Sequence, residues 1–302
     1  MSERLHSLSG LPATVQAPTY DRQAARGIVH LGVGAFHKAH QAVYTDEAMR
    51  KAGGGWMITG VSLRSADVAR ALNPQDGLYT LLVRDAGGVS ARVIGSIASV
   101  LVAPEDPAAV LAAMAAPETK IVSLTITEKG YGIDGRTGGL DRANPAIAAD
   151  LESPRAPQSA VGFIVEALRL RRERGLGGFT ILCCDNLPGN GAFVRRLVDE
   201  FARARDPGLA DFIDGKTSFP STMVDRITPA STERTYAEAR ALVGRDDHAA
   251  VETEPFIQWI IEDDFVAGRP AWEAGGALFV ADVAPYEKMK LRMLNGAHSM
   301  LA

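Results

Sequence analysis

Cysteine is nearly missing from this sequence: there are two, Cys183 and Cys184, and they are adjacent. Neighbouring residues do not readily reach the separation and torsions of a disulfide, so no structural disulfide is expected and a reducing compartment is favoured. A surplus of positive charge is missing too. With 32 Lys and Arg against 36 Asp and Glu, the formal net charge is -4. A general nucleic-acid or membrane-surface binder would need excess cations to neutralise phosphate, so both classes are disfavoured. No apolar run approaches the roughly 20 residues that span a bilayer, and the opening "MSERLHSLSG" lacks the apolar stretch of a secretory signal. A soluble cytoplasmic protein is the expectation. Internal repeats and low-complexity tracts are also lacking, and the Pro and Gly clusters read as turns rather than linkers.

What is present is 46% apolar residues over 302, enough for a sizeable core. They fall in alternating patterns. Ile28 to Leu31 is a β-rich run that passes through two glycines into a helical period carried by Phe36, Ala39, Val43 and Met49. "WMITGVSL", "LYTLLVRD", "ARVIGSIASVLV", "KIVSLTITE" and "FTILCCDN" read as strands. "PEDPAAVLAAMAAP" reads as a helix with a proline in its first turn, and "SAVGFIVEALRLRRERG" as a helix ending in basic residues before Gly175. Continuous apolar strands separated by helices predict an α/β fold with a mostly parallel sheet. The main domain is expected to cover residues 1–284.

In "HLGVGAFH", Gly32 and Gly34 fall where the first strand turns into the first helix, with Ala35, Phe36 and His37 following. Such a turn lets backbone approach a pyrophosphate, but a full G-x-G-x-x-G would have glycine where His37 stands. The spacing alone leaves a nucleotide loop and a plain turn both open. Asp67, in "SLRSAD" after the second strand, is placed to accept from an adenine ribose, or to serve as a first-turn helix charge; facing a ribose it would favour NAD over NADP, although nearby Arg64 would tolerate a 2'-phosphate.

The closing "KMKLRMLNGAHSMLA" carries polar groups within an apolar helix pattern. Relative to Lys290 on a helical wheel, Glu287 falls at about 60°, His298 at about 80° and Asn295 at about 140°, so the four share a face. A solvated face gives the same pattern. The apolar remainder favours a packed helix, in which such groups need partners. A desolvated lysine can act as general base, an amide can donate to an oxygen that gains charge, and imidazole can orient a hydroxyl. This is the equipment of a metal-free alcohol dehydrogenase working with a nicotinamide cofactor. No metal site is expected: of six histidines only His37 and His40 are close in sequence, and no cysteine cluster completes a tetrahedron.

The motifs "GVGAFHKAHQAVYTD", "SLTITEKGY", "CDNLPGNG", "TMVDRITP", "EPFIQWIIEDDFVAGRPAW" and "KMKLRMLNGAH" together resemble the polyol-specific long-chain dehydrogenases of the mannitol dehydrogenase family, from about Gly27 to Ala302. The resemblance implies an extended Rossmann-like domain. It makes Lys290 of a Lys-x4-Asn-x2-His pattern the general base, with Asn295 and His298 beside it, and it assigns Asn186 of "CDN" as a further oxyanion amide that also meets the cofactor. Glu128 would exchange protons with solvent, Asp67 would favour NAD, and Asp225 would support the site from behind, a place the helical wheel rather than the resemblance gives to Glu287. Lys38 stands where an arginine is more usual, which loses a bidentate fork. Relatives continue into a mostly helical domain, so residues 285–302 are expected to be the start of a truncated C-terminal helical substrate domain.

Within the family, "TEKGY", "SAVGFIVEALRLRRERG" and "KLRMLNGAHS" look closer to fructuronate reductases (mannonate oxidoreductases), whereas "GVSLRSAD" leans to mannitol dehydrogenases. A uronate carboxylate asks for an extra cation, and Lys129 and Arg292 are the candidates, although Arg292 lies about 200° round the helix from Lys290. The expected ligand is thus a small sugar acid, with a neutral polyol (mannitol or D-arabinitol) or a catalytically silent NAD-binding fragment as alternatives. Sequence leaves the oligomeric state open, a monomer included.

Overall fold

The computed structural model describes residues 3–301, the stretch from Met293 as backbone only. Its elements run β1 (Ile28–Leu31), α1 (Ala35–Ala39), α2 (Gln41–Ala52), β2 (Ile58–Ser62), α3 (Asp67–Leu72), β3 (Tyr79–Asp85), β4 (Gly88–Ile94), β5 (Ile97–Val102), α4 (Pro107–Met114), β6 (Ile121–Leu124), α5 (Pro145–Glu152), α6 (Ala160–Glu173), β7 (Thr180–Cys183), α7 (Asn190–Arg205), α8 (Pro207–Lys216), β8 (Thr222–Asp225), α9 (Glu233–Val243), β9 (Val251–Thr253), β10 (Gln258–Glu262), β11 (Leu278–Val280) and α10 (Ala284–Leu301). Among the described residues no helix is long and apolar enough to cross a membrane.

Five strands form the central sheet in the order β5-β2-β1-β6-β7, every neighbouring pair parallel. Both faces are covered, which is why the strands are apolar throughout rather than alternating. Val29, Leu31, Val61, Val122, Leu124, Ile181 and Cys183 point into the core that α4, α6, α7 and α8 cover. Ile28, Ile58, Ile121, Leu182 and Cys184 point to the opposite core, shared with α2, Trp259 and Trp272. Successive strand side chains face opposite ways, so the adjacent cysteines end in different cores, both thiols free. Two smaller sheets flank this body, β11-β10-β8 and β4-β3-β9, each with one parallel and one antiparallel pair.

Two expectations from the sequence change here. The helical period from Phe36 to Met49 is broken at His40, which leaves a five-residue α1 and a twelve-residue α2. His40 is fully buried, stacked on Phe36 at 4.9 Å and edge-on to Trp259 at 5.4 Å, and its Nε2 donates to Gln258 O at 2.9 Å. Tertiary packing of one ring therefore overrides helix continuity. "ARVIGSIASVLV" is two strands, not one: β4 pairs with β3 while β5 joins the central sheet. Ala42 O accepts from Ser96 Oγ at 2.7 Å and Asp46 Oδ1 from Gly95 N at 3.0 Å, so α2 holds the corner between them.

Starting from β1, the chain winds outward through β2 and β5 on one side and through β6 and β7 on the other. The order reverses between β1 and β6, and a crevice opens beyond the carboxyl ends of the strands at such a point.

Candidate active site

Two adjoining cavities occupy that crevice. The first, about 650 Å³, is lined by Gly34, Ala35 and Phe36 after β1, by Glu128 after β6, by Asn186 after β7, by Asp225 and Arg226 at the end of β8, and by Lys290 of α10. The second, about 430 Å³, takes Gly32 and Val33, Ser62 to Ser65 after β2, and Lys129. Thr125 and Thr127 line both.

The loop after β1 is built for close approach. Gly32 has φ +93, and a Cβ there would lie 2.3 Å from Thr125 O, so only glycine fits. Gly34 has nothing nearer than 3.9 Å around a notional Cβ, which leaves its backbone open to the cavity. Because α1 is only five residues long, its dipole is small, and loop amides rather than a helix field face the cavity.

The loop after β6 is strained. Thr127 has φ 63 and ψ 158, a region that side-chain-bearing residues rarely enter. Asp185 overdetermines it: the carboxylate accepts from Ile126 N at 3.0 Å, Thr127 N at 3.0 Å and Tyr131 Oη at 2.6 Å. Glu128 and Lys129 follow directly, both exposed, one beside each cavity.

Helix α10 reaches the site through two side chains. Lys290 is 15% exposed; its Nζ donates to Val224 O at 2.7 Å and lies 3.5 Å from both Asn186 Oδ1 and Asp225 Oδ1. Glu287 Oε1 accepts from Gly189 N at 3.0 Å, at the start of α7. The part of the expected helix face that Glu287 and Lys290 form thus packs on the loop that carries Asn186. With its amide oxygen toward the lysine, Asn186 keeps an NH2 group free to donate among the residues that line the larger cavity.

Several predicted residues sit elsewhere. His37 is fully buried, its ring 3.4 Å from His30, and it lines neither cavity. Burial holds its imidazole far below the usual range, so it is neutral. Asp67 starts α3 at the surface and pairs with Arg70 at 3.4 Å instead of lining the second cavity, where Arg64 and Ser65 lie. Arg292 is exposed with Lys288 and Met289 on another face of α10, and Lys129 is in the second cavity, so the two expected carboxylate-binding cations do not meet Lys290. Turning by about 100° per residue carries Arg292 away, and the 3-10 turn at Glu128–Tyr131 points Glu128 and Lys129 to different cavities. Lys38 is buried, donates to Ala249 O at 2.8 Å, and burial pushes its pKa down to about 8. Asn295 and His298 lie outside the residues whose side chains are described.

Sequence reasoning passed over Thr125, Thr127 and Arg226. Arg226 is 8% exposed and its guanidinium donates to Ala39 O and Glu254 O, which bolts β8 to the end of α1. The signal was in "TMVDRITP", where an arginine follows an apolar strand. Burial raises both thiols, Cys183 up to about 12, which makes them poor nucleophiles at neutral pH.

Fold and rim together define a doubly wound, Rossmann-type α/β protein whose ligand site is the strand-end crevice. Residues 26–274 match the family model described as the mannitol dehydrogenase Rossmann domain, and the chain belongs to the mannitol dehydrogenase family. It is 49% identical to the D-mannonate oxidoreductase of Escherichia coli over 97% of this chain and 61% of that protein. It is 46% identical to the mannitol 2-dehydrogenase of Aspergillus terreus, over 95% of this chain and 59% of that one. The solved ternary complex of Pseudomonas fluorescens mannitol 2-dehydrogenase with NAD and D-mannitol superposes with a TM-score of 0.93 at 44% identity, covering 99% of this chain and 62% of that structure. The chain therefore spans about three fifths of the length of the relatives it matches.

Proposed function

We propose that this chain is the nucleotide-binding and proton-transferring part of a metal-free, NAD-dependent oxidoreductase that interconverts a ketone and a secondary alcohol on a small sugar acid or polyol. The observation that carries it is Lys290, held at 15% exposure beside Asn186 and Asp225 in the larger cavity of the crevice. The open backbone at Gly34 and the close-packed Gly32 fit a dinucleotide lying along both cavities. When bound, NAD(H) supplies or accepts the hydride. Asn186 points its NH2 at the substrate oxygen and stabilises charge there. Lys290 gives that oxygen its proton in reduction and takes it back in oxidation, while Asp225 and Val224 O fix the ammonium. Glu128, exposed at the rim, exchanges the proton with solvent. Asn295 and His298 enter on family resemblance, as does the reading of residues 285–302 as the first helix of a C-terminal substrate domain.

The first substrate reading is D-fructuronate, reduced to D-mannonate, supported by the three motifs that look closer to fructuronate reductases and by the 49% identity with D-mannonate oxidoreductase. A neutral polyol such as mannitol is the second, favoured by the placement of Lys129 and Arg292 away from Lys290. NADH consumption with D-fructuronate and, separately, with D-fructose tests them. Turnover on fructuronate alone supports the uronate reading, and turnover on fructose alone replaces it with the polyol reading. NADH binding without turnover on either leaves a nucleotide-binding fragment.

A further inference from the structure

A buried polar row lies beneath the glycine loop, and the chemistry proposed above makes no use of it. His30 of β1 is fully buried, and the parallel register sets it opposite Ser123 of β6, so the two side chains share a face. His30 Nδ1 is 2.8 Å from Ser123 Oγ, and Nε2 is 2.8 Å from Thr125 Oγ1. Thr125 Oγ1 is 2.8 Å from Gly32 O, and Ser123 Oγ is 2.9 Å from the side-chain amide of Gln41.

Counting protons gives the row a direction. A carbonyl only accepts, so Thr125 spends its one hydroxyl proton on Gly32 O. Its oxygen must then accept, which puts a proton on His30 Nε2. Burial pushes this imidazole down to about 3, so it is neutral and Nδ1 is bare, taking the hydroxyl proton of Ser123. The oxygen of Ser123 is left to accept from Gln41. With Oε1 toward Ser123 the Gln41 nitrogen has no partner, whereas turning the amide puts a donor there and closes the row.

The far end of the row is the part that matters. Gly32 O and the N–H of Val33 belong to one planar trans peptide and point in opposite directions. A carbonyl pinned to Thr125 therefore aims the Val33 amide away from Thr125, and both Gly32 and Val33 line the second cavity. We propose that His30 is a positioning residue for the dinucleotide: its Nε2–H, acting through Thr125, fixes the peptide plane between Gly32 and Val33 on which the pyrophosphate of NAD(H) rests. This rests on the NAD reading above. His30 touches no ligand; it sets the tautomer and orientation of a threonine that sets a backbone plane.

Two measurements test it. Long-range 1H–15N NMR of the histidine rings reports the His30 tautomer without any ligand; the Nε2-protonated neutral form should persist from pH 8 to about 5, because the imidazole is buried. An Nδ1-protonated ring, or one that gains a proton in that range, overturns the proposal. NADH titration of Thr125→Val and Thr125→Ser is the second. Losing the hydroxyl should weaken binding about tenfold, and serine should restore it to within about twofold of the parent. Parent-like binding by Thr125→Val overturns the positioning role and leaves the cofactor reading intact. Failure of the parent itself to bind NADH overturns both.

Discussion

The two cavities of the crevice share a wall but differ in how they are built. The larger one draws charged groups from β6, β8 and α10, residues 128, 225 and 290, which are far apart in the chain. Beside the glycine loop, the smaller one is lined by backbone and hydroxyls at the ends of β1, β2 and β6 and by the starts of α5 and α6, with Arg64 and Lys129 at its wall and no carboxylate among the described residues that line it. The charged groups of the larger cavity are gathered by tertiary packing, with Lys290 brought in by the distant helix α10. The smaller cavity draws its wall from the ends of neighbouring parallel strands and the helices that follow them.

The contrast can be broken most strongly at Lys290. Lys290→Met should lower turnover by about three orders of magnitude while NADH affinity changes by less than about twofold; comparable losses in both would mean that Lys290 itself holds the cofactor. Acid should act instead on the imidazoles buried beneath both cavities. Burial holds His30 and His40 at about 3, against 6.5 unfolded, so the unfolded chain binds more protons between those values and stability falls as pH drops below 6.5. Urea unfolding at pH 5 against pH 7 should show a loss of at least about 4 kcal/mol from these two rings, with the buried His37 adding to it in the same direction, and an unchanged midpoint would place protonated imidazoles in the native state. Asp185→Ala removes three accepted hydrogen bonds and should lower the unfolding free energy by about 3 kcal/mol, read from the same denaturation. The smallest effect is expected at Thr127. Thr127→Gly relieves a positive φ and should stabilise by about 1 kcal/mol, with lower turnover as Glu128 loses its fixed position; a stability loss instead would show that the backbone there is unstrained.

The parallel sheet was legible because strands buried on both faces are continuously apolar, and the helices between them carry their own caps, as with Asp106 and Pro107. Lys290, Asn186, Glu128 and Asp225 were legible from motifs, and the structure gathers them in one cavity. What could not be read was direction. His37 follows the glycine loop in sequence, yet its ring turns inward to stack on His30. Asp67 has the spacing of a ribose ligand, but the local turn of α3 presents it to solvent. Arg226 looks like any charged residue until tertiary contacts bury it. The break at His40 was equally invisible, since a 3.6-residue period runs through it unbroken and only the aromatic neighbours from β10 reveal why the backbone turns.

Thr125 and Thr127 stand in the wall of both cavities, so the crevice is a two-lobed mould with a waist of hydroxyl and peptide groups. A molecule that occupies both lobes at once must pass these two threonines. A mononucleotide or a free sugar matches one lobe only and leaves the other to water. A ligand long enough to reach both lobes would therefore be sensed along its whole length by one continuous wall.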